Sequence, residues 1–295
     1  MAATLITAHN GADTTPEDSM EFVRMALASG ADVMEIDIRR LADGKLVFAH
    51  DLPINPAGLS GQDARILNTG SSSHDLPSDP AAPADPDARD LKTGCSSPHD
   101  LPSDPAAPAD PDARILKTGC SSPGPVPIED VFLALRESSK LVNCDLKEPH
   151  LESAVAELAE RCGISDRLIY SGTVSAPYCM ETGLNRCVKI LLNIEEYIPG
   201  LYARCQKDSS QIHEAAREIS AVCLRYGIDC VNANYRLAND RFIEILAQQG
   251  IGLSVWTVNT LPEALHFIER GIYNVTTRNL QQVLSAAFPL LHLNA

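Results

Sequence analysis

The sequence predicts an α/β chain folded as a (β/α)8 barrel, on three observations. Strand-like and helix-like segments alternate through the 245 residues left when a 50-residue tandem repeat is set aside. Ionisable side chains stand at the ends of successive strand-like segments. No glycine-rich nucleotide loop follows any of them, which disfavours a doubly wound open sheet.

Leu5 to His9 reads as the first strand, Glu17 to Ser29 as a helix behind Pro16, and Val33 to Arg39 as a strand after the Gly30 stop signal. Leu46 to His50 extends the sheet. Beyond the repeat come a helix over Ile128 to Glu137, a strand over Val142 to Lys147, a helix over Leu151 to Cys162 and a strand over Leu168 to Gly172. Later strands fall at Val188 to Leu192, Asp229 to Asn232, Leu253 to Thr257 and Tyr273 to Thr276. Helices intervene near Ile212 to Tyr226, Asp240 to Gln249, Pro262 to Arg270 and Leu280 to Ala287.

Residues 74–98 read HDLPSDPAAPADPDARDLKTGCSSP, and residues 99–123 repeat them with one change, Asp90 becoming Ile115. The window 53–127 holds 14 of the 20 prolines and no apolar periodicity. It is read as an extended surface loop, a Pro-rich insertion in a single domain spanning residues 1–295. The repeat copies His50-Asp51 as His74-Asp75 and His99-Asp100, but only His50 follows a strand, and a catalytic group needs a rigid mount.

Twenty-four Lys+Arg against 39 Asp+Glu give a formal charge of −15, which argues against nucleic acid or an anionic membrane surface as partner. No apolar run reaches the roughly 18 to 20 residues that cross a bilayer, and no charged leader with an apolar core opens the chain. Nine cysteines without CxxC pairs or finger spacing fit reduced thiols, so the expected location is the cytoplasm.

Strand alternation from Val33 to Arg39 puts Glu35, Asp37 and Arg39 on one face. Asp145 and Lys147 repeat the two-residue spacing at the end of a later strand. In a barrel the carboxyl ends of the strands carry the site, so His9, Glu35, Asp37, His50, Asp145 and Lys147 are expected to converge on one rim. Three gathered carboxylates repel one another unless a cation sits between them. All-oxygen ligation favours one hard divalent cation, Mg²⁺ or Ca²⁺, over zinc. Arg39 is expected to pair with a carboxylate for structural reasons.

The order His9-Asn10-Gly11, Pro16-Glu17-Asp18-Ser19, Gly30-Ala31-Asp32 leading to Glu35-Ile36-Asp37, Asp43-Gly44 and His50-Asp51 resembles the glycerophosphodiester phosphodiesterase family. The resemblance continues at Asp145-Leu146-Lys147 and Val255-Trp256-Thr257-Val258-Asn259, and ends in a divergent Thr276-Thr277-Arg278-Asn279. It implies a TIM-barrel, metal-dependent hydrolase that cleaves a small-molecule glycerophosphodiester to glycerol 3-phosphate and an alcohol. It implies Glu35, Asp37 and Asp145 as metal ligands, His9 and His50 as the acid/base pair, Lys147 at the phosphate and Trp256 in the pocket wall. Glu17 keeps its motif position, where site support and first-turn helix capping are alternatives.

Two positions depart from the family pattern. Asn10 stands at the phosphate-contacting position where the family has arginine, and Asp145 where it has the longer glutamate. The first change removes a bidentate guanidinium. These departures leave two alternatives: a phosphodiester-binding relative of weak or no activity, and a phospholipase-D-like member of the same superfamily.

Overall fold

The computed structural model describes residues 3–52, 124–208 and 210–292; the tandem repeat, the two later histidines and the reading of 53–123 as a loop lie outside them. The strands are β1 (Leu5–Ala8), β2 (Val33–Arg40), β3 (Leu46–Phe48), β4 (Val126–Pro127), β5 (Leu141–Leu146), β6 (Leu168–Gly172), β7 (Lys189–Ile190), β8 (Leu192–Asn193), β9 (Cys230–Asn234), β10 (Gly252–Trp256) and β11 (Asn274–Thr277). They pair in the order β7-β6-β5-β2-β1-β11-β10-β9-β8, every neighbouring pair parallel. The two ends of that path are consecutive in sequence: β7 pairs with β6 and β8 with β9, so the short run from Lys189 to Asn193 bridges them. The molecule is a TIM barrel.

Ten α-helices accompany the strands among the described residues: α1 (Met20–Ala28), α2 (Ile128–Leu135), α3 (Glu152–Cys162), α4 (Ala176–Thr182), α5 (Ile194–Tyr197), α6 (Leu201–Lys207), α7 (Gln211–Tyr226), α8 (Asp240–Gln248), α9 (Leu261–Glu269) and α10 (Leu280–His292). No helix among the described residues is long and apolar enough to cross a membrane. The seven described cysteines are free thiols, six of them buried.

The structure corrects or sharpens the expected elements at three places. The first helix begins at Met20 rather than Glu17, because Ser19 is its N-cap and its side chain accepts from Phe22 N–H. Leu46 to Phe48 extends the sheet as expected, but as an antiparallel return along β2, with Ile38 opposite Phe48 and β4 paired with β3. The window 53–127 therefore closes on a strand. The segment between β8 and α7, given no element by sequence, holds α5 and α6.

Alternation along each strand sorts side chains between the helices and the barrel interior. On β2, Met34, Ile36 and Ile38 are fully buried in the main core with Phe22, Phe48 and Phe132. The interior changes character from one end to the other. Val33, Ile169, Leu191 and Cys230, with Leu5, Leu141 and Tyr273 packed against them, form a separate apolar plug at the amino ends of the strands. One inward position further along come small polar groups that satisfy one another. Thr7 Oγ1 donates to Asn274 Oδ1 at 2.6 Å, Asn274 Nδ2 to Ser254 Oγ at 3.0 Å, and Asn232 Nδ2 to Asn193 Oδ1 at 2.7 Å. Buried polar groups are tolerated because they are paired. The carboxyl ends then carry the titratable groups.

Candidate active site

Strand register assembles the site. On β1 and β2, Ala8 is opposite Met34, so His9 and Glu35 follow side by side. On β2 and β5, Glu35 is opposite Asn143 and Asp37 opposite Asp145. Glu35 and Asp37 are 4% and 2% exposed. Glu35, Asp37 and Asp145 each offer a carboxylate oxygen within 4.8 Å of the others.

Lys147, one residue past β5, turns back over this cluster, its Nζ 2.7 Å from Asp37 Oδ1 and 3.0 Å from Asp145 Oδ2. Burial works against its charge, but Asp145, Asp37 and Glu35 overcome that and hold the ammonium above its ordinary range. Burial also pushes Asp37 up, yet Lys147 and the amide of Asn10 bring it below the usual carboxylate range. Glu35 has no such counterweight. Burial first, then Asp37 and Asp145, raise it well above the ordinary value against the pull of Lys147 and the Asn10 backbone N–H.

Asn10 faces inward. It is 1% exposed; its Nδ2 donates at 2.8 Å to both Asp37 Oδ2 and Asp18 Oδ1, and its backbone N–H donates to Glu35 Oε2 at 2.9 Å. Asp18 N–H returns a bond to Asn10 Oδ1 at 2.9 Å, and Asp18 Oδ2 accepts from His50 N–H at 3.0 Å. Asp18 thereby ties the loop after β3 to the loop after β1. His50 reaches the rim because β3 runs back along β2, where Ala49 N–H bonds Asp37 O at 3.1 Å. Arg39, expected to pair with a carboxylate, holds this loop too: its Nε donates to His50 O at 2.6 Å, with Asp51 Oδ1 3.9 Å from Nη2. The His50 ring is half exposed, its Nδ1 3.2 Å from Asp51 Oδ2.

His9 is mostly buried, its Nδ1 2.8 Å from Asn10 O, 3.1 Å from Arg278 Nε and 3.8 Å from Glu35 Oε2. The first two contacts are incompatible as hydrogen bonds, since a carbonyl needs Nδ1 protonated and a guanidinium N–H needs it bare. The carbonyl contact is the shorter, and it leaves the Nε2 lone pair as the basic position. Burial and the nearby Arg278 charge hold this imidazole below its ordinary range. Glu17 lies outside α1 and caps nothing; its Oε1 pairs with Arg278 Nη2 at 2.8 Å. Trp256, the last residue of β10, is half-buried at the carboxyl end of its strand.

The cluster fits a divalent cation. Oxygens that share one ion with bonds of about 2.1 to 2.5 Å can stand no more than about 4.2 to 5 Å apart, and these three lie within 4.8 Å of one another. Asp145 Oδ1 and Asn143 Oδ1, two residues apart on the inner face of β5, are buried acceptors with no donor among the described residues. Gly172 makes room for the first: at φ +78° a Cβ there would sit 2.0 Å from Asp145 Oδ1 and 2.4 Å from Leu146 O.

The model of the Glycerophosphoryl diester phosphodiesterase family matches residues 9–69, the stretch that carries His9, Glu35, Asp37 and His50. The resemblance read from the motifs holds. Solved structures repeat it at the level of the fold. A glycerophosphodiester phosphodiesterase from Parabacteroides distasonis is 14% identical, with TM-score 0.59 over 99% of this chain and 98% of that one. One from Thermotoga maritima is 17% identical, with TM-score 0.58 over 97% and 99%. An Oleispira antarctica phosphodiesterase, solved with its product sn-glycerol-3-phosphate, is 13% identical, with TM-score 0.58 over 97% of each chain. No curated protein matches the sequence.

Sequence reasoning passed over Asp18, Gly172 and Arg278. Asp18 stood inside a quoted motif, and Arg278 directly follows the last strand, where barrel sites gather; both signals were present.

Proposed function

We propose that this chain is a divalent-cation-dependent phosphodiesterase that hydrolyses glycerophosphodiesters to glycerol 3-phosphate and an alcohol. The observation that carries the reading is the convergence of His9, Glu35, Asp37, Asp145 and Lys147 at the carboxyl ends of β1, β2 and β5. The family match over residues 9–69 and the product-bound structural neighbour support it.

Glu35, Asp37 and Asp145 would hold Mg²⁺ or Ca²⁺, which when bound supplies positive charge to the non-bridging phosphate oxygens. Lys147, its Nζ between Asp37 and Asp145, would add a second positive charge, which matters because charge builds on those oxygens in the transition state. His9, neutral and with Nε2 bare, takes the proton of the attacking group, either water itself or a substrate hydroxyl whose cyclic phosphate water then opens. His50, partnered by Asp51, delivers a proton to the departing alkoxide as the phosphorus–oxygen bond breaks. Trp256 serves as pocket wall. Asn10 acts through Asp37 and Glu35 as a positioning residue.

Lys147 also favours a second reading, a phosphodiester-binding relative without turnover, because its ammonium already neutralises Asp37 and Asp145. Comparing the wild type with a variant carrying both His9→Ala and His50→Ala on a glycerophosphodiester separates the two. The hydrolase reading expects product from the wild type and none above background from the variant; equal hydrolysis by both contradicts it.

A further inference from the structure

We propose that Arg278 grips the phosphate group of the substrate beside His9, supplying the guanidinium that position 10 lacks. This rests on the phosphodiesterase reading. The placement follows from register: Ala8 is opposite Thr277, so the next residues, His9 and Arg278, lie together at the rim. The base of the side chain is fixed, with Arg278 N–H donating to Asn259 Oδ1 at 3.0 Å and its carbonyl accepting from Asp13 N–H at 2.8 Å.

Among the described residues, neither of the other cations near the cluster offers a free planar fork. Lys147 lies between two carboxylates, and Arg39 is spent on the His50 carbonyl and Asp51. Asn10, whose position would carry the missing guanidinium, points inward with its amide bonded to two carboxylates. Arg278 is different: its side chain is 41% exposed, and its charged partner Glu17 is 51% exposed. A solvent-exposed ion pair is weak, so an arriving phosphate can replace Glu17 at little cost. A guanidinium carries five N–H donors in a planar fork matched to phosphate oxygens, and among the described residues the side-chain contacts of Arg278 use only Nε and Nη2. Moving onto phosphate also withdraws Nε from His9 Nδ1. That nitrogen is then left to the Asn10 carbonyl, and Nε2 is fixed as the base.

The test uses the full chain with divalent cation, as wild type, Arg278→Gln and Arg278→Lys, with inorganic phosphate and sn-glycerol 3-phosphate as binding probes and a glycerophosphodiester as substrate. A charge-assisted grip predicts that Arg278→Gln weakens both probes and raises KM about 10- to 100-fold, with a smaller change for Arg278→Lys and an unchanged thermal midpoint. In the wild type, inorganic phosphate should shield Arg278 from phenylglyoxal, read by peptide mass mapping; this arm stands even if Arg278→Gln fails to fold. Unchanged probe affinity and KM in Arg278→Gln, a loss confined to kcat, or no shielding overturns the role of Arg278 while wild-type turnover keeps the phosphodiesterase reading. A wild type that neither binds the probes nor hydrolyses any diester overturns both.

Discussion

The side-chain amide of Asn10 donates to Asp37 Oδ2 at 2.8 Å, and the backbone N–H of the same residue donates to Glu35 Oε2 at 2.9 Å. One residue after β1 thus orients two of the three carboxylates. Groups that orient metal ligands typically contribute about 10- to 100-fold in metal affinity or activity. Asn10→Ala should weaken Mg²⁺ or Ca²⁺ by that factor in calorimetric titration, with a smaller change in KM. A KM effect alone would place Asn10 on the substrate instead.

Glu35 sets a pH dependence. Its folded carboxyl is raised by burial and by Asp37 and Asp145. The folded, ion-free protein therefore holds a proton that the unfolded chain releases once pH passes the ordinary glutamate value of about 4.3. The associated stability is fully present below that pH and is lost as pH rises toward the folded value. Cation binding needs the ionised form, so it gains what the proton loses. With chelator, the thermal midpoint should fall as pH rises above the ordinary glutamate value, and the gap opened by added cation should widen in the same direction. Glu35→Gln should flatten the chelated curve, and a gap independent of pH in the wild type would contradict the coupling.

Much of this was legible in sequence, for a local reason. Glu35, Asp37 and Asp145 sit on regular strands and Lys147 directly follows one, so a period of two fixes which face each side chain takes. What was not legible depended on contacts between distant segments. Asn10 faces inward because Asp18 and Asp37 draw its amide there. His50 reaches the rim through an antiparallel hairpin that strand periodicity alone does not orient. Arg278 meets His9 across 269 positions of chain, through the β1–β11 pairing that joins the first strand to the last.

Gly172 bears on the proposed cation site through space alone. A methyl group there would meet Asp145 Oδ1 at 2.0 Å, and at φ +78° an L-residue costs roughly 1 to 2 kcal/mol before any clash. Gly172→Ala should lower the thermal midpoint and, in the folded fraction, abolish cation binding measured by Mn²⁺ relaxation. Full binding in that variant would show that Asp145 is dispensable.

The insertion leaves and rejoins the barrel at one place, since Phe48 pairs with Val126 and Val47 with Pro127. We propose that residues 74–123 are dispensable for the fold. Loop-closure entropy grows only by about 0.6 kcal/mol per doubling of length, so their excision should shift stability by about 1 kcal/mol. Thermal unfolding of the shortened chain checks this, and collapse of the cooperative transition would refute it.

The most direct test of the account is product release from a glycerophosphodiester and from a chromogenic bis-aryl phosphodiester, with Mg²⁺, Ca²⁺, Mn²⁺ or chelator, in the wild type and His9→Ala. The account predicts glycerol 3-phosphate from the first substrate, turnover abolished by chelator and restored by cation, and loss of activity in His9→Ala. Turnover that persists in chelator, or a folded, cation-loaded wild type that cleaves neither diester, would contradict it.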